Sequence, residues 1–161
     1  MPNMKRYSLR LRCNVTCVAT EPGTGRVLER LKAHNLIVTS GKVLVARMIA
    51  EEAGYDTGLT YLAIGTGTAT PLVSDVLLGS EHGRKAVSTP VYRVTNRLQF
   101  KAYFPAADCN IFVKEVGLFG HSTATATINT GELFNRALLS KDNSGVSPVD
   151  LTLYLVIVTG A

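Results

Sequence analysis

Residues 6–19 read RYSLRLRCNVTCVA, and apolar and polar side chains alternate along the whole stretch. A period of two residues predicts a β-strand with one face in a core and the other in solvent. The sequence EPGTG at 21–25 favours a tight reversal, and a second strand is expected over 26–33. The segment therefore predicts a long β-hairpin whose outward face is basic.

One helix is expected over about residues 40–53. A hydroxyl of Thr39 or Ser40 can cap its first turn, and Val43, Leu44 and Met48 lie near one helical stripe. Gly54 is expected to end the helix, because glycine is common just past a helix C-terminus.

The remaining apolar segments have strand length and are separated by polar or glycine-bearing turns. Many strands with one helix and no βαβ rhythm favour an antiparallel β-sandwich in a mainly β fold. We expect a single domain over 1–161, with a hairpin extension at 6–33 and a sandwich core with the helix at 34–158. Strands are predicted at 61–64, 84–93, 97–104, 111–119, 132–140 and 149–158.

The composition favours a compact fold, since 46% of the 161 residues are hydrophobic and only 18% are charged. No apolar run approaches the ~20 residues that a membrane span needs. The N-terminal sequence also lacks the apolar core of a signal peptide. Neither a membrane location nor export is therefore expected.

Positive charge is concentrated in the first part of the chain. Residues 1–50 hold nine lysines and arginines against two glutamates, which leaves +7, although the whole chain carries only +5. Such asymmetry indicates an acidic partner surface at this end. Nucleic acid is less expected, because Tyr7 points away from the basic side of the strand. The candidate interface residues are Arg6, Arg10, Arg12, Arg26 and Arg30.

The three cysteines do not have a metal-ligand spacing, and their odd number argues against a complete set of internal disulfides. Cys13 and Cys17 share a face of the first strand but lie ~13 Å apart along it, which is too far for a bond between them. We expect buried thiols at Cys13, Cys17 and Cys109. The alternative is a bond from Cys109 to one of the others, or to a neighbouring subunit.

No pattern in the chain matches a catalytic, metal or cofactor site, so we predict a protein that is not an enzyme and has no cofactor. The sequence GTGTAT at 65–70 lacks the third glycine of a dinucleotide loop and indicates a turn. Glu81 and Glu115 are interpreted as ion-pair or turn-capping partners, with Arg84 and Arg136 as candidates.

Several motifs occur in an order that resembles a family of tailed-phage virion proteins, related to the particle-attachment domain of tail-collar fibre proteins. The motifs are NLIVTSG at 35–41, YLAIGTG at 61–67, Leu78 and Glu81 with Arg84, VKEVGLF at 113–119, and GELFNR at 131–136. The resemblance covers about residues 34–158. It implies a β-rich module that docks on the virion and has no catalytic residues. Fibre proteins continue into a shaft, whereas this chain stops at Ala161, which favours a self-contained collar, adaptor or decoration subunit.

The leading hypothesis is a structural tail, collar or fibre-attachment subunit that is assembled in the bacterial cytoplasm and located in the virion. A head decoration protein is the first alternative, and a host-surface carbohydrate binder or enzyme is the second. A DNA-binding packaging role is a weaker possibility. The expected partners are other virion proteins and further copies of the chain, because the first hairpin and the terminal strand offer edges to another subunit.

Overall fold

The structure is a computed structural model that describes residues 10–88 and 91–159. It is mainly β with one α-helix, as the sequence predicted. The helix α1 spans Thr39–Ile49, and a 3₁₀ turn spans Ala106–Asp108. The strands are β1 Leu11–Thr20, β2 Val27–Ile37, β3 Leu59–Gly65, β4 Glu81–Ala86, β5 Tyr92–Val94, β6 Arg97–Phe104, β7 Phe112–Gly120, β8 Glu132–Asp142 and β9 Asp150–Thr159.

The nine strands form one sheet in the order β4-β3-β7-β8-β2-β1-β9-β6-β5, and all neighbours are antiparallel. The hairpin predicted at 6–33 is present over the described residues as β1 and β2, and both of its strands lie inside the sheet. Strand β1 lies between β2 and β9 near the middle of the sheet, because its apolar side chains face the core. The terminal strand β9 is also internal, so it does not offer the expected free edge.

The two separate sheets of a sandwich are not confirmed, because β2 belongs to both halves of the structure. Its residues 27–34 pair with β1, and Asn35–Ile37 pair with β8. Strand β2 thus joins β4-β3-β7-β8 to β1-β9-β6-β5. The joined sheet curls, so that the backbone N–H of Ser88, just after β4, donates to the carbonyl of Lys101 in β6.

The core lies between the two halves of the curled sheet. Alternate residues of β1, including Cys13, Val15 and Cys17, pack in one cluster with side chains of both halves. Other members are Leu62, Phe100, Phe104, Val116, Leu118, Phe134, Leu151, Leu153 and Leu155. A smaller cluster of Val38, Ala63, Leu78, Phe119 and Leu133 also includes the loop before β4.

The helix differs from its predicted extent at both ends. Neither Thr39 nor Ser40 caps it, and the Ser40 hydroxyl donates instead to the carbonyl of Leu133. The helix ends at Ile49, before Gly54, and Glu51 takes a left-handed backbone with φ 54°. The early end lets the chain reverse and bury Tyr55, a residue that is only 5% exposed.

No helix within residues 10–88 and 91–159 combines the length and the apolar character that crossing a membrane requires.

Candidate interaction face

Strands β2, β1, β9 and β6 present their outer side chains in rows across the sheet. One row places Lys32 and Lys101 on either side of Thr16 and Tyr154. Another places Arg12 and Arg97 on either side of Val158. With ~4.8 Å between strands and ~6.7 Å between successive rows, the surface measures roughly 14 by 20 Å.

Five cations on this surface define the basic face: Arg12, Arg30, Lys32, Arg97 and Lys101. All five are exposed. None lies within 4 Å of a carboxylate in the described part of the chain. Their charge is therefore directed to solvent or to a partner, and it adds over an area small enough for one contact.

The four strands contain only two carboxylates, and both are engaged elsewhere. Glu29 accepts a hydrogen bond from the Lys141 ammonium at 2.8 Å. Asp150 is buried at one end of the face, where it accepts hydrogen bonds from the Tyr103 hydroxyl and the Ala106 N–H. Neither carboxylate neutralises the basic face.

Two tyrosines also belong to this surface. Tyr154 lies in the middle of a row, and the Lys101 ammonium is 5.9 Å from the centre of its ring. Tyr103 lies further along β6 and is about half exposed. The sequence did not reveal these rings as part of the face, because strands β6 and β9 begin 77 and 130 residues after the end of β1.

The structure brings together only part of the predicted interface. Arg12 and Arg30 belong to the basic face, and Arg10 is exposed immediately before β1. Arg6 lies outside the described residues. Arg26 is not part of the face, because it lies just before β2 and forms an exposed ion pair with Glu21 at 3.1 Å. Lys32, Arg97 and Lys101 were missed, since a strand pattern does not reveal which other strands share its sheet.

Three of the motifs behind the family resemblance, YLAIGTG at 61–67, VKEVGLF at 113–119 and GELFNR at 131–136, meet at one buried carboxylate, that of Glu115 in β7. It accepts backbone hydrogen bonds from Gly67, Gly79 and Ser80 at 2.7–2.9 Å. It also pairs with Arg136 Nε at 2.8 Å. Burial alone would raise the pKa of Glu115, but the hydrogen bonds from Ser80, Gly79 and Arg136 outweigh it and lower that pKa.

Arg136 extends this network to the loop before β4. Its Nη1 donates to Asp75 Oδ2 at 2.9 Å. The same oxygen of Asp75 also accepts a hydrogen bond from the Leu72 N–H. The chain between β3 and β4 is thereby fastened onto the outer side of β7 and β8. The sequence GTG at 65–67 was predicted as a turn, but Gly65 is the last residue of β3 and irregular structure follows it. A side chain at Gly67 would collide with the Glu115 carboxylate.

Glu81 and Arg84 form the second predicted pair, with Nε to Oε1 at 2.6 Å. The Arg84 guanidinium also lies 4.3 Å from the centre of the Phe119 ring and donates to the carbonyl of Thr130 at 2.7 Å. Glu81 accepts a hydrogen bond from the Asn129 N–H. Both candidate carboxylates, Glu81 and Glu115, are thus held in ion pairs that fasten loops to the sheet.

The three cysteines are buried and free, as the first interpretation predicted, and no bond joins Cys109 to either of the others. Burial raises the pKa of Cys17 to about 12 and that of Cys109 to about 11, and it raises the pKa of Cys13 further. The thiols therefore pack as small apolar side chains.

Comparison with known proteins leaves the resemblance to phage tail-collar proteins as a prediction. What the basic face binds has to be inferred from its own chemistry, because no family model, no curated protein sequence and no solved structure matches the chain.

Proposed function

We propose that the chain is a non-enzymatic docking subunit of a tailed-phage particle, placed at the tail, collar or fibre attachment. Its basic face binds an acidic surface of a neighbouring virion protein. The observation that carries the proposal is a set of five cations on one sheet surface that have no carboxylate within 4 Å among the described residues, together with the lack of a free carboxylate on the same four strands.

The geometry supports protein docking in two ways. The sheet is continuous beneath the cations, so their positions relative to one another are held by backbone pairing. Exposed cations that form no ion pair do not have to break one when they bind a complementary acidic surface. Their long-range attraction also accelerates the encounter.

The first test is the composition of particles purified from the phage whose genome encodes the chain. Mass spectrometry should find the chain in the virion, and image reconstruction should locate it in the tail, collar or fibre attachment. Density across the capsomers would support the head-decoration alternative instead. Absence of the chain from purified particles would refute both.

The second test concerns the face. Reversal of two charges by Arg97→Glu with Lys101→Glu should strongly reduce incorporation into particles. The control Lys42→Glu changes an exposed cation on α1 that forms no ion pair within residues 10–88 and 91–159, and it should leave incorporation unchanged. Equal incorporation of all three proteins would contradict the role of the basic face.

Binding of single-stranded nucleic acid is a second candidate, and the two tyrosines favour it. Base stacking on aromatic rings beside cations is how sheet surfaces bind single strands. The test is titration with an oligothymidine at two salt concentrations. Binding that weakens steeply with salt and is lost in Tyr154→Ala would support this candidate over protein docking.

A further inference from the structure

Strands β2 and β8 separate after a short paired segment and leave a cleft between them. Their pairing covers only Asn35–Ile37 on β2, although β2 begins at Val27. Strand β8 continues to Asp142 while it pairs with β7 on its other side. The facing edges of both strands therefore diverge along several residues.

The edge of β2 that faces this cleft has unpaired backbone. Residues 27–34 pair with β1 on one side, and no strand among residues 10–88 and 91–159 pairs with them on the other. In an antiparallel strand, every second N–H and C=O points to each side. Such a row of free donors and acceptors is the surface to which an extended peptide adds as a new strand.

The side chains around the edge restrict the kind of strand that fits. The cleft has a volume of about 540 Å³, and its lining includes Leu31, Leu138, Leu139 and Phe112 together with Lys32 and Lys114. Within the described residues neither lysine has a carboxylate within 4 Å. The cleft thus combines apolar walls with unpaired positive charge.

The two faces of β2 differ. Arg30 and Lys32 lie on the outer face, and Leu31 and Ala33 lie on the inner face, where both pack against the core. The side chains of an added strand would alternate between the outer and the inner face, each beside the side chains of β2 on the same face. Acidic residues would meet Arg30 and Lys32, and apolar residues would meet Leu31 and the cleft.

We infer that the free edge of β2 binds an extended segment of a partner protein in which acidic and apolar residues alternate. This interaction shares Arg30 and Lys32 with the basic face, but it differs from docking through that face because it depends on backbone pairing at residues 27–34. The Glu29–Lys141 ion pair spans the two strands, with Glu29 half-exposed and Lys141 largely buried, and it has to open when a strand is added.

A second copy of the chain is a poorer occupant of the same edge. Identical antiparallel strands related by a twofold axis place residues of the same face opposite each other. The registers with the most overlap put Arg30 opposite Arg30 or Lys32 of the second copy, and like charges directly opposite one another destabilise the pair.

The test uses a blocked peptide of about seven residues that alternates valine and glutamate, and a matched peptide with lysine in place of glutamate. The glutamate peptide should bind and should protect alternate backbone N–H groups of residues 27–34 from hydrogen exchange. Failure of the glutamate peptide to protect these groups would overturn the inference. Sedimentation that shows a dimer with the same groups protected would also overturn it.

A charge swap makes the test specific. The double variant Arg30→Glu with Lys32→Glu should bind the glutamate peptide about tenfold more weakly and should gain binding to the lysine peptide. Arg30→Gln with Lys32→Gln should give an intermediate loss, and it provides a second variant should the first fail to fold. Unchanged preference for the glutamate peptide in both variants would refute the charge pattern.

The matched control is Arg97→Glu with Lys101→Glu, the pair of reversals that tests the basic face. These residues lie roughly 14 Å from β2, which exceeds the screening length of ~8 Å at physiological salt. Peptide binding should change less than about threefold. A loss of peptide binding equal to that of the β2 variants would assign the effect to the basic face instead of the strand edge.

Discussion

The Nε of Arg136 lies 2.8 Å from Oε2 of Glu115, and both side chains are buried. The arginine comes from β8 and the glutamate from β7, and through Gly67, Gly79, Ser80 and Asp75 the pair holds the β3–β4 loop in place. Nη2 of Arg136 is buried with no partner among the described residues. The network is therefore sensitive to the loss of any further hydrogen-bond partner of Arg136.

Removal of the Glu115 charge by Glu115→Ala should lower the free energy of unfolding by about 3–5 kcal/mol, because it leaves the Arg136 guanidinium buried without its main partner. Urea unfolding followed by circular dichroism measures the change. The control is Glu52→Gln, which breaks the half-exposed pair with Arg47 and should cost less than about 1 kcal/mol. Equal effects of the two substitutions would show that the buried pair contributes no more to the free energy of unfolding than the half-exposed pair does.

Stability should fall in acid through the same network. Burial opposes the lowering of the pKa of both Glu115 and Asp75, but hydrogen bonds hold each pKa below its ordinary value of 4.5 or 3.8. Their contribution is present above these ordinary values and is lost as pH falls through the lower folded-state values. Urea midpoints measured from pH 7 downward should decrease more steeply in the native protein than in Glu115→Gln. Parallel curves would contradict the assignment.

Gly67→Ala should destabilise the protein by about 1–3 kcal/mol, because its Cβ would collide with the Glu115 carboxylate. Gly83→Ala is the matched control, since no heavy atom lies within 4 Å of a Cβ at that position. Alanine there should leave stability unchanged or slightly raised, as it restricts the unfolded chain. Thermal unfolding of the two variants side by side gives the comparison.

The three thiols should resist alkylation in the folded protein. Burial raises the pKa of Cys17 to about 12 and that of Cys109 to about 11, so little thiolate is present near pH 8. Mass spectrometry after brief treatment with iodoacetamide should find no adduct on the native protein and three on the urea-unfolded protein. Fast modification of any native cysteine would place that thiol at the surface.

Several local features were predictable because each is decided within one strand or one turn. The alternation at 11–17 placed Cys13, Val15 and Cys17 in the core, and burial follows that pattern. The sequence GTGTAT at 65–70 indicated an interruption of the strand pattern, and β3 does end at Gly65. Glu81 and Glu115 were expected to be ion-pair or turn-capping partners, and each forms an ion pair with an arginine.

The error in the predicted extent of the helix has a clear physical origin. The helix was predicted to reach about residue 53 from local preference alone, but burial of Tyr55 requires the chain to turn earlier. The hydroxyl of Tyr55 accepts from Arg47 and donates to Glu132 of β8, 77 residues away. A contact of that sequence separation is invisible to a pattern that extends over one or two helical turns.

The sequence by itself determined that the chain is mainly β, which side chains of β1 face inward, and that positive charge gathers near its beginning. Only the tertiary structure decided that the first hairpin is central, that Arg97, Lys101 and Tyr154 join Arg12 and Lys32 on one face, and that β2 keeps an unpaired edge. The reason is that alternation along a strand depends on its own residues, whereas the neighbours of a strand depend on packing across the whole chain.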